Sequence, residues 1–149
     1  NYLHDSHIRY ALKNESDVIC EKPIVLNTNN VNQLINFNKR FKNNIYTILQ
    51  LRHHPAILNL RKDVKRELHK DPRKKYKVNL KYITSRGKWY SYSWKGDMEK
   101  SGGIASNIGV HFFDMLSWIF GTHESLKIMI NEKDHCKGIL SLKNAEVNC

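Results

Sequence analysis

Residues 17–51, DVICEKPIVLNTNNVNQLINFNKRFKNNIYTILQL, hold two short apolar runs separated by one helical stretch. Asp17-Val18-Ile19-Cys20 reads as a brief strand that must end by Pro23, which has no N–H to give a ladder. Asn27 or Thr28 can cap a helix, and Val31, Leu34, Ile35 and Phe41 then keep an apolar stripe up to the basic end Lys39–Lys42. Ile45 to Leu51 is nearly continuous apolar sequence, as in a strand buried on both faces. Strand, helix and strand within about thirty residues make a βαβ unit, hence a parallel sheet. Upstream, Tyr2 to Lys13 suits a short helix stopping near Asn14.

Downstream, Pro55 sits where a helix would begin, and Ile57, Leu60, Val64 and Leu68 form one buried face. Beyond Pro72, Tyr76, Val78, Leu80, Tyr82 and Thr84 alternate with polar residues, the pattern of a strand with one wet face. A second, antiparallel region is expected from here, with Leu126–Ile130 and Ile139–Leu142 as further strands. Between them, residues 87–103 are aromatic, basic and glycine-bearing, which describes a long loop. Ile104, Ile108, Phe112, Met115 and Ile119 then follow helical spacing until Gly121. On that helix Asn107, His111 and Asp114 fall at i, i+4 and i+7 and share a face.

The 149 residues fit one ordinary domain or two partial ones, and an apolar fraction of 40% is too high for disorder. Twenty-five Lys+Arg against 14 Asp+Glu give a net charge of +11, which suits an anionic ligand. The densest basic stretch, Arg61 to Lys77, follows a helical pattern in its first half and carries Asp63, Glu67 and Asp71, so a solvated helix face ranks ahead of a nucleic-acid surface. Three cysteines without CxxC spacing point to a reduced interior. No apolar run nears the ~20 residues of a membrane span, so a cytoplasmic protein without membrane or nucleic-acid partners is expected. His53-His54 and Asp134-His135-Cys136 offer only adjacent ligands, and no metal is expected.

A His flanked by apolar residues on a helix is ordinarily a satisfied interior group. His111, however, follows Asn107 by one turn, on a helix opened by Ser101-Gly102-Gly103, whose free N–H groups would favour an anion. Lys22 stands at the carboxyl end of a presumed parallel strand, where open α/β sheets place their ligands. Hydride leaves a carbinol carbon readily only if the hydroxyl proton is removed as charge develops, and a His can do this near neutrality. A Lys cation beside it would stabilise the developing alkoxide.

Cys20-Glu21-Lys22-Pro23 followed by a helix, together with Ser101-Gly102-Gly103-Ile104-Ala105-Ser106-Asn107-Ile108-Gly109-Val110-His111-Phe112-Phe113-Asp114, resembles the glucose–fructose oxidoreductase / inositol dehydrogenase (Gfo/Idh/MocA) family. Gln50-Leu51-Arg52-His53-His54-Pro55 and Tyr82 to Tyr90, continuing to Ser93-Trp94-Lys95-Gly96-Asp97, resemble the branch that oxidises C3 of a UDP-linked N-acetylglucosaminuronic acid in cell-surface polysaccharide precursor synthesis. The resemblance implies an NAD-dependent dehydrogenase, a homo-tetramer at full length. Its catalytic residues would be Lys22 and His111, and Asn1, His4, Glu21 and Lys22 would meet the cofactor. Lys22, Arg52, Arg86, Lys88, Asn107 and His111 would meet the sugar nucleotide, with Lys95 near its anionic groups. Many family members carry Asp where Asn107 stands.

The implied fold is α/β, with residues 1–50 the end of a Rossmann-type nucleotide-binding domain and residues 51–149 the start of an α+β domain with a large, mostly antiparallel sheet. The seven glycines make no G-x-G-x-x-G, and the family's glycine turn precedes the EKP strand by more than the 21 residues available before Lys22. The chain is therefore expected to be an internal or truncated piece, inactive by itself. Two alternatives stay open: another sugar or polyol dehydrogenase of the family, and a non-catalytic basic protein that binds nucleic acid.

Overall fold

The computed structural model describes residues 1–149. Helix α1 (His4–Lys13) precedes strand β1 (Val18–Cys20), helix α2 (Thr28–Phe41) and strand β2 (Ile45–Thr47). The strands pair in parallel, Val18 with Ile45 and Cys20 with Thr47, as the βαβ reading requires. Asn27 caps α2 by accepting from the Asn30 N–H at 2.9 Å. Ile8, Leu12, Cys20 and Leu34 close a small core.

Two expectations about this part are corrected. On α2 the inward set is Leu34, Phe37 and Phe41, with the two rings 4.7 Å apart, whereas Val31 and Ile35 are exposed. The aromatic pair hides more apolar area than the two aliphatics would, so it faces inward. Nor is Ile45–Leu51 a strand buried on both faces: β2 stops at Thr47 and Gln50–His53 coil into a 3₁₀ turn. Ile19 is 77% exposed and its register partner Tyr46 55%, because the core lies on one side only of this two-stranded ribbon.

Helix α3 (Pro55–Lys70) starts at its proline, as expected. Its inner face reads Ile57, Arg61, Val64 and Leu68 rather than including Leu60, which is exposed. Arg61 takes that place because its guanidinium lies 3.9 Å from the centre of the Trp118 ring and its Nε donates to the Trp118 carbonyl at 3.1 Å. Strand β3 (Tyr76–Asn79) follows and ends earlier than the alternation suggested. Tyr82 leaves the sheet to stack on Phe112, ring centres 5.0 Å apart. The loop expected at 87–103 folds into the single-turn helices α4 (Trp89–Tyr92) and α5 (Met98–Ser101) with a 3₁₀ turn, Trp94–Gly96, between them.

The expected long helix opens as a π turn, Ala105–Gly109, and continues as α6 (Val110–Phe120), ended at Gly121 with φ 97°. Strands β4 (His123–Asn131), β5 (Cys136–Leu142) and β6 (Ala145–Asn148) complete a four-stranded sheet ordered β3-β6-β5-β4. The β4/β5 and β5/β6 pairs are antiparallel, and β3 joins β6 in parallel. The sheet is therefore mixed, because the long connection from β3 to β6 allows a crossover.

Val64, Leu116, Ile119 and Phe120 from α3 and α6 cover Leu140, Leu142, Ala145 and Val147. Leu142 is wholly buried there. Leu142→Ala is expected to cost about 2–5 kcal/mol in urea unfolding, as deletions from packed cores do. A loss below about 0.5 kcal/mol, the surface range, would show that this layer is not the packed core.

Candidate active site

Three segments far apart in sequence converge at the carboxyl end of β1. The His4 Nδ1–H donates to the Pro23 carbonyl at 2.8 Å, and Asn1 Nδ2 donates to the Ser101 carbonyl at 3.2 Å. Lys22 Nζ donates to the Asn107 carbonyl at 2.5 Å, across 85 residues. The strand end, the N-terminal segment and the turn before α6 therefore meet, which brings Asn1, His4, Lys22 and Asn107 together. Glu21 is exposed, and its Oε2 accepts from the Lys22 N–H at 3.3 Å.

The turn that brings Asn107 there depends on glycine. Gly102 and Gly103 have φ of 77° and 72°, a region that L side chains avoid. A Cβ on Gly102 would stand 2.7 Å from Ser106 Cβ, and one on Gly103 2.7 Å from Met98 Sδ. The expected anion site at this helix start does not form in the way foreseen. Ser101 is buried, and its Oγ accepts the Gly103 N–H at 3.0 Å while donating to the Asp97 carbonyl at 2.7 Å. The N–H that was to be free is already satisfied. The π turn was not legible either, although such turns are frequent at functional sites.

His111 is half-buried on α6, and its Nδ1 is buried with no hydrogen-bond partner. Burial first, and then the Lys22 cation, lower its pKa below the ordinary imidazole value; Glu21 and Asp114 oppose this. A ring nitrogen sealed without a partner is costly until a ligand supplies the bond. Lys22 is likewise lowered, chiefly by burial, with Lys95 and Arg86 adding repulsion against the pull of Glu21. The action of the Lys22 cation on His111 puts both in one electrostatic site.

The basic loop reaches this site through Lys95 and Arg86, whose charges act on Lys22. The Arg86 guanidinium is 5.2 Å from the Tyr90 ring centre, and Lys95 Nζ lies 5.6 and 5.8 Å from those of Trp89 and Trp94. Lys88 is exposed on the same loop; its carbonyl accepts the Ser91 N–H at 3.2 Å, and its side chain makes no hydrogen bond or ion pair. Arg52 has a partner that sequence reasoning did not assign: Asp114 accepts from its Nε at 2.8 Å and from its Nη2. The shared face of Asn107, His111 and Asp114 was the signal available. A cavity of about 410 Å³ lies beside the same helix, lined by Tyr82, Ile104, Ile108, Phe112, Cys136 and Cys149 among others. It holds none of the charged residues above, so chemistry rather than cavity shape identifies the site.

No helix is long and apolar enough to cross a membrane. The fold is similar to crystal structures of the WlbA (WbpB) dehydrogenase from Thermus thermophilus, one in complex with NAD and UDP-GlcNAcA and one with NAD and alpha-ketoglutarate. In both comparisons identity is 40% and the TM-score 0.91 over 99% of this chain, and the match covers 47% and 46% of those chains. The WlbA dehydrogenase from Bordetella pertussis, in complex with NADH and UDP-GlcNAcA, shares the fold at TM-score 0.83 and 21% identity, over 99% of this chain and 45% of that one. YteT of Bacillus subtilis (strain 168) is 24% identical over 122 residues, 78% of this chain and 28% of that protein. The chain thus spans about half the length of these solved relatives and about a quarter of the curated one. The model of the oxidoreductase family's C-terminal alpha/beta domain matches residues 74–148, half of the chain, which therefore belongs to the Gfo/Idh/MocA oxidoreductase family.

Proposed function

We propose that this chain carries the catalytic Lys and His of an NAD-dependent dehydrogenase that oxidises the C3 hydroxyl of UDP-N-acetylglucosaminuronate, a polysaccharide precursor. The observation that carries the reading is the meeting of Lys22 with the turn before His111, in a fold whose relatives were solved with NAD and UDP-GlcNAcA. The reading assigns residues 1–50 to the end of a nucleotide-binding unit and 51–149 to the start of the substrate unit; the two separate cores support that division. It also places the protein in the cytoplasm as a homo-tetramer. The nucleic-acid alternative is not favoured: within the basic stretch Arg66 pairs with Asp63, and Lys70 and Lys74 pair with Glu67.

The residues present fit the nicotinamide end of NAD and not its pyrophosphate. Asn1, His4, Glu21 and Lys22 stand together at a strand end, and Lys22 keeps two of its three N–H donors after bonding Asn107. No glycine turn exists here to cradle phosphates. When bound, NAD supplies the hydride acceptor. Lys22 would orient the ribose and hold the substrate oxygen as negative charge grows on it, and neutral His111 would take the hydroxyl proton. Arg86 and Lys88, with Lys95, would meet the carboxylate and diphosphate, and Asn107 a sugar hydroxyl.

Activity is to be measured as NADH absorbance in a protein that joins these residues to a dinucleotide turn. Turnover of UDP-N-acetylglucosaminuronate supports the reading; turnover only of another sugar or polyol would move the chain to a different branch. The pH dependence is a sharper check. Only the neutral imidazole accepts a proton, and burial and Lys22 both disfavour the imidazolium. Activity should therefore rise through a midpoint below about 6.5, the ordinary histidine value. A midpoint above it would mean that His111 is not the group titrating, or that Lys22 does not face it.

A further inference from the structure

The ends of the two parallel strands reach one helix on either side of His111. From the end of β1, Lys22 Nζ holds the Asn107 carbonyl, four residues before His111. From the turn after β2, Arg52 grips Asp114, three residues after it, through both Nε and Nη2. The Asp114 side chain is only 15% exposed. Arg52 also lies 5.6 Å from the centre of the Trp118 ring, one turn further along α6, which Arg61 covers as well. His111 itself makes no hydrogen bond within the chain at its sealed Nδ1. The direction of its ring is therefore set by the placement of the helix backbone and by packing.

We propose that Arg52 and Asp114 are a positioning pair that fixes the rotation and height of α6, so that His111 stays turned toward Lys22. The proposal rests on the dehydrogenase reading, which makes His111 the base, and it assigns Arg52 to the catalytic helix instead of to the anionic substrate. The fork of a guanidinium suits this task, because two parallel bonds to one carboxylate fix an orientation as well as a distance. A lysine at position 52 could supply charge but only one point of contact. The pair also sets the charge around the base. Lys22 and Glu21 act on His111 from β1, Asp114 acts from its own helix, and Arg86 and Lys95 act on Lys22. Arg52 neutralises the carboxylate nearest the ring along the helix.

The test compares Arg52→Met, Arg52→Lys, Asp114→Asn and the Arg52→Met/Asp114→Asn double variant in the active dehydrogenase. Each single change should lower kcat about ten- to hundredfold, the scale of a small misplacement of a catalytic group. KM for the sugar nucleotide should stay within about twofold, since ground-state binding is untouched. The double variant should be no worse than the poorer single one, because the two residues act as a unit. Arg52→Lys should recover only part of the loss. A raised KM with kcat intact in Arg52→Met, and a silent Asp114→Asn, would make Arg52 a substrate ligand and overturn the pair.

A second readout does not need turnover. In an NMR titration of the His111 ring, Arg52→Met should raise the midpoint, because Asp114 is left unneutralised, and Asp114→Asn should lower it. An unmoved midpoint in both variants overturns the proposal whatever the activity. If the unaltered protein oxidises no sugar nucleotide, the dehydrogenase reading fails separately, and the ring titration alone decides whether Arg52 and Asp114 control the surroundings of His111.

Discussion

Replacing His111 with Asn should cut kcat by about a hundred- to ten-thousandfold, the range for loss of a general base, in a protein that remains folded. Folding should survive because the ring's Nδ1 gives up no bond within the chain and the side chain is only half-buried. Asn also keeps a polar group of similar reach, so the change removes basicity more than shape. The acidic limb of the pH–rate profile should vanish with the imidazole, because the reading makes His111 the group that takes the hydroxyl proton. NAD affinity should change little, since Asn1, His4, Glu21 and Lys22 are untouched. Thermal melting run beside the kinetics separates the alternatives. A variant that unfolds would return His111 to the role of an interior packing residue, and one that is folded and fully active would remove it from the mechanism.

How far the sequence reaches is clear from particular residues. The β1–α2–β2 unit and the start of α3 were legible because Pro23, Asn27 and Pro55 act locally and the apolar runs have a period. The parallel docking of β3 on β6 was not, since it joins Tyr76 to Ala145 across a crossover that no local pattern encodes. The same limit hid the partner of Arg52: Asp114 was on the right helix face, but a pair 62 residues apart is a property of the fold. Leu60 and Arg61 show periodicity failing by one residue, because a cation over an indole outweighed an aliphatic side chain for the inner position. At the candidate site, Lys22, Asn107 and His111 were singled out through motifs, and the structure adds what motifs lack. It shows that the Asn107 backbone carbonyl receives the lysine, and that Ser101 has already taken the N–H on which an anion was expected to bind.

Lys22→Ala should lower kcat by at least a few hundredfold, the scale on which enzymes lose rate when one group that stabilises transition-state charge is removed. Coulomb attraction to an oxygen that becomes negative only as the hydride leaves is realised in the transition state, so the fall in kcat should exceed the loss of NAD affinity that follows from the missing ribose contact. Two readouts tie the loss to the charge. Burial, Lys95 and Arg86 hold the Lys22 pKa below the ordinary lysine value, so the active cation is lost as pH rises through that lowered value. The alkaline limb should therefore lie below the usual lysine range in the unaltered protein and disappear in the variant. The acidic limb should move the other way: without the cation that disfavours imidazolium, His111 protonates more readily and residual activity should begin to fall at a higher pH than before. Lys22→Met keeps most of the stem while removing the charge. A loss equal to that of Lys22→Ala would assign the effect to the ammonium, whereas near-normal turnover in Lys22→Met would return Lys22 to the status of a strand-end tie to the Asn107 carbonyl.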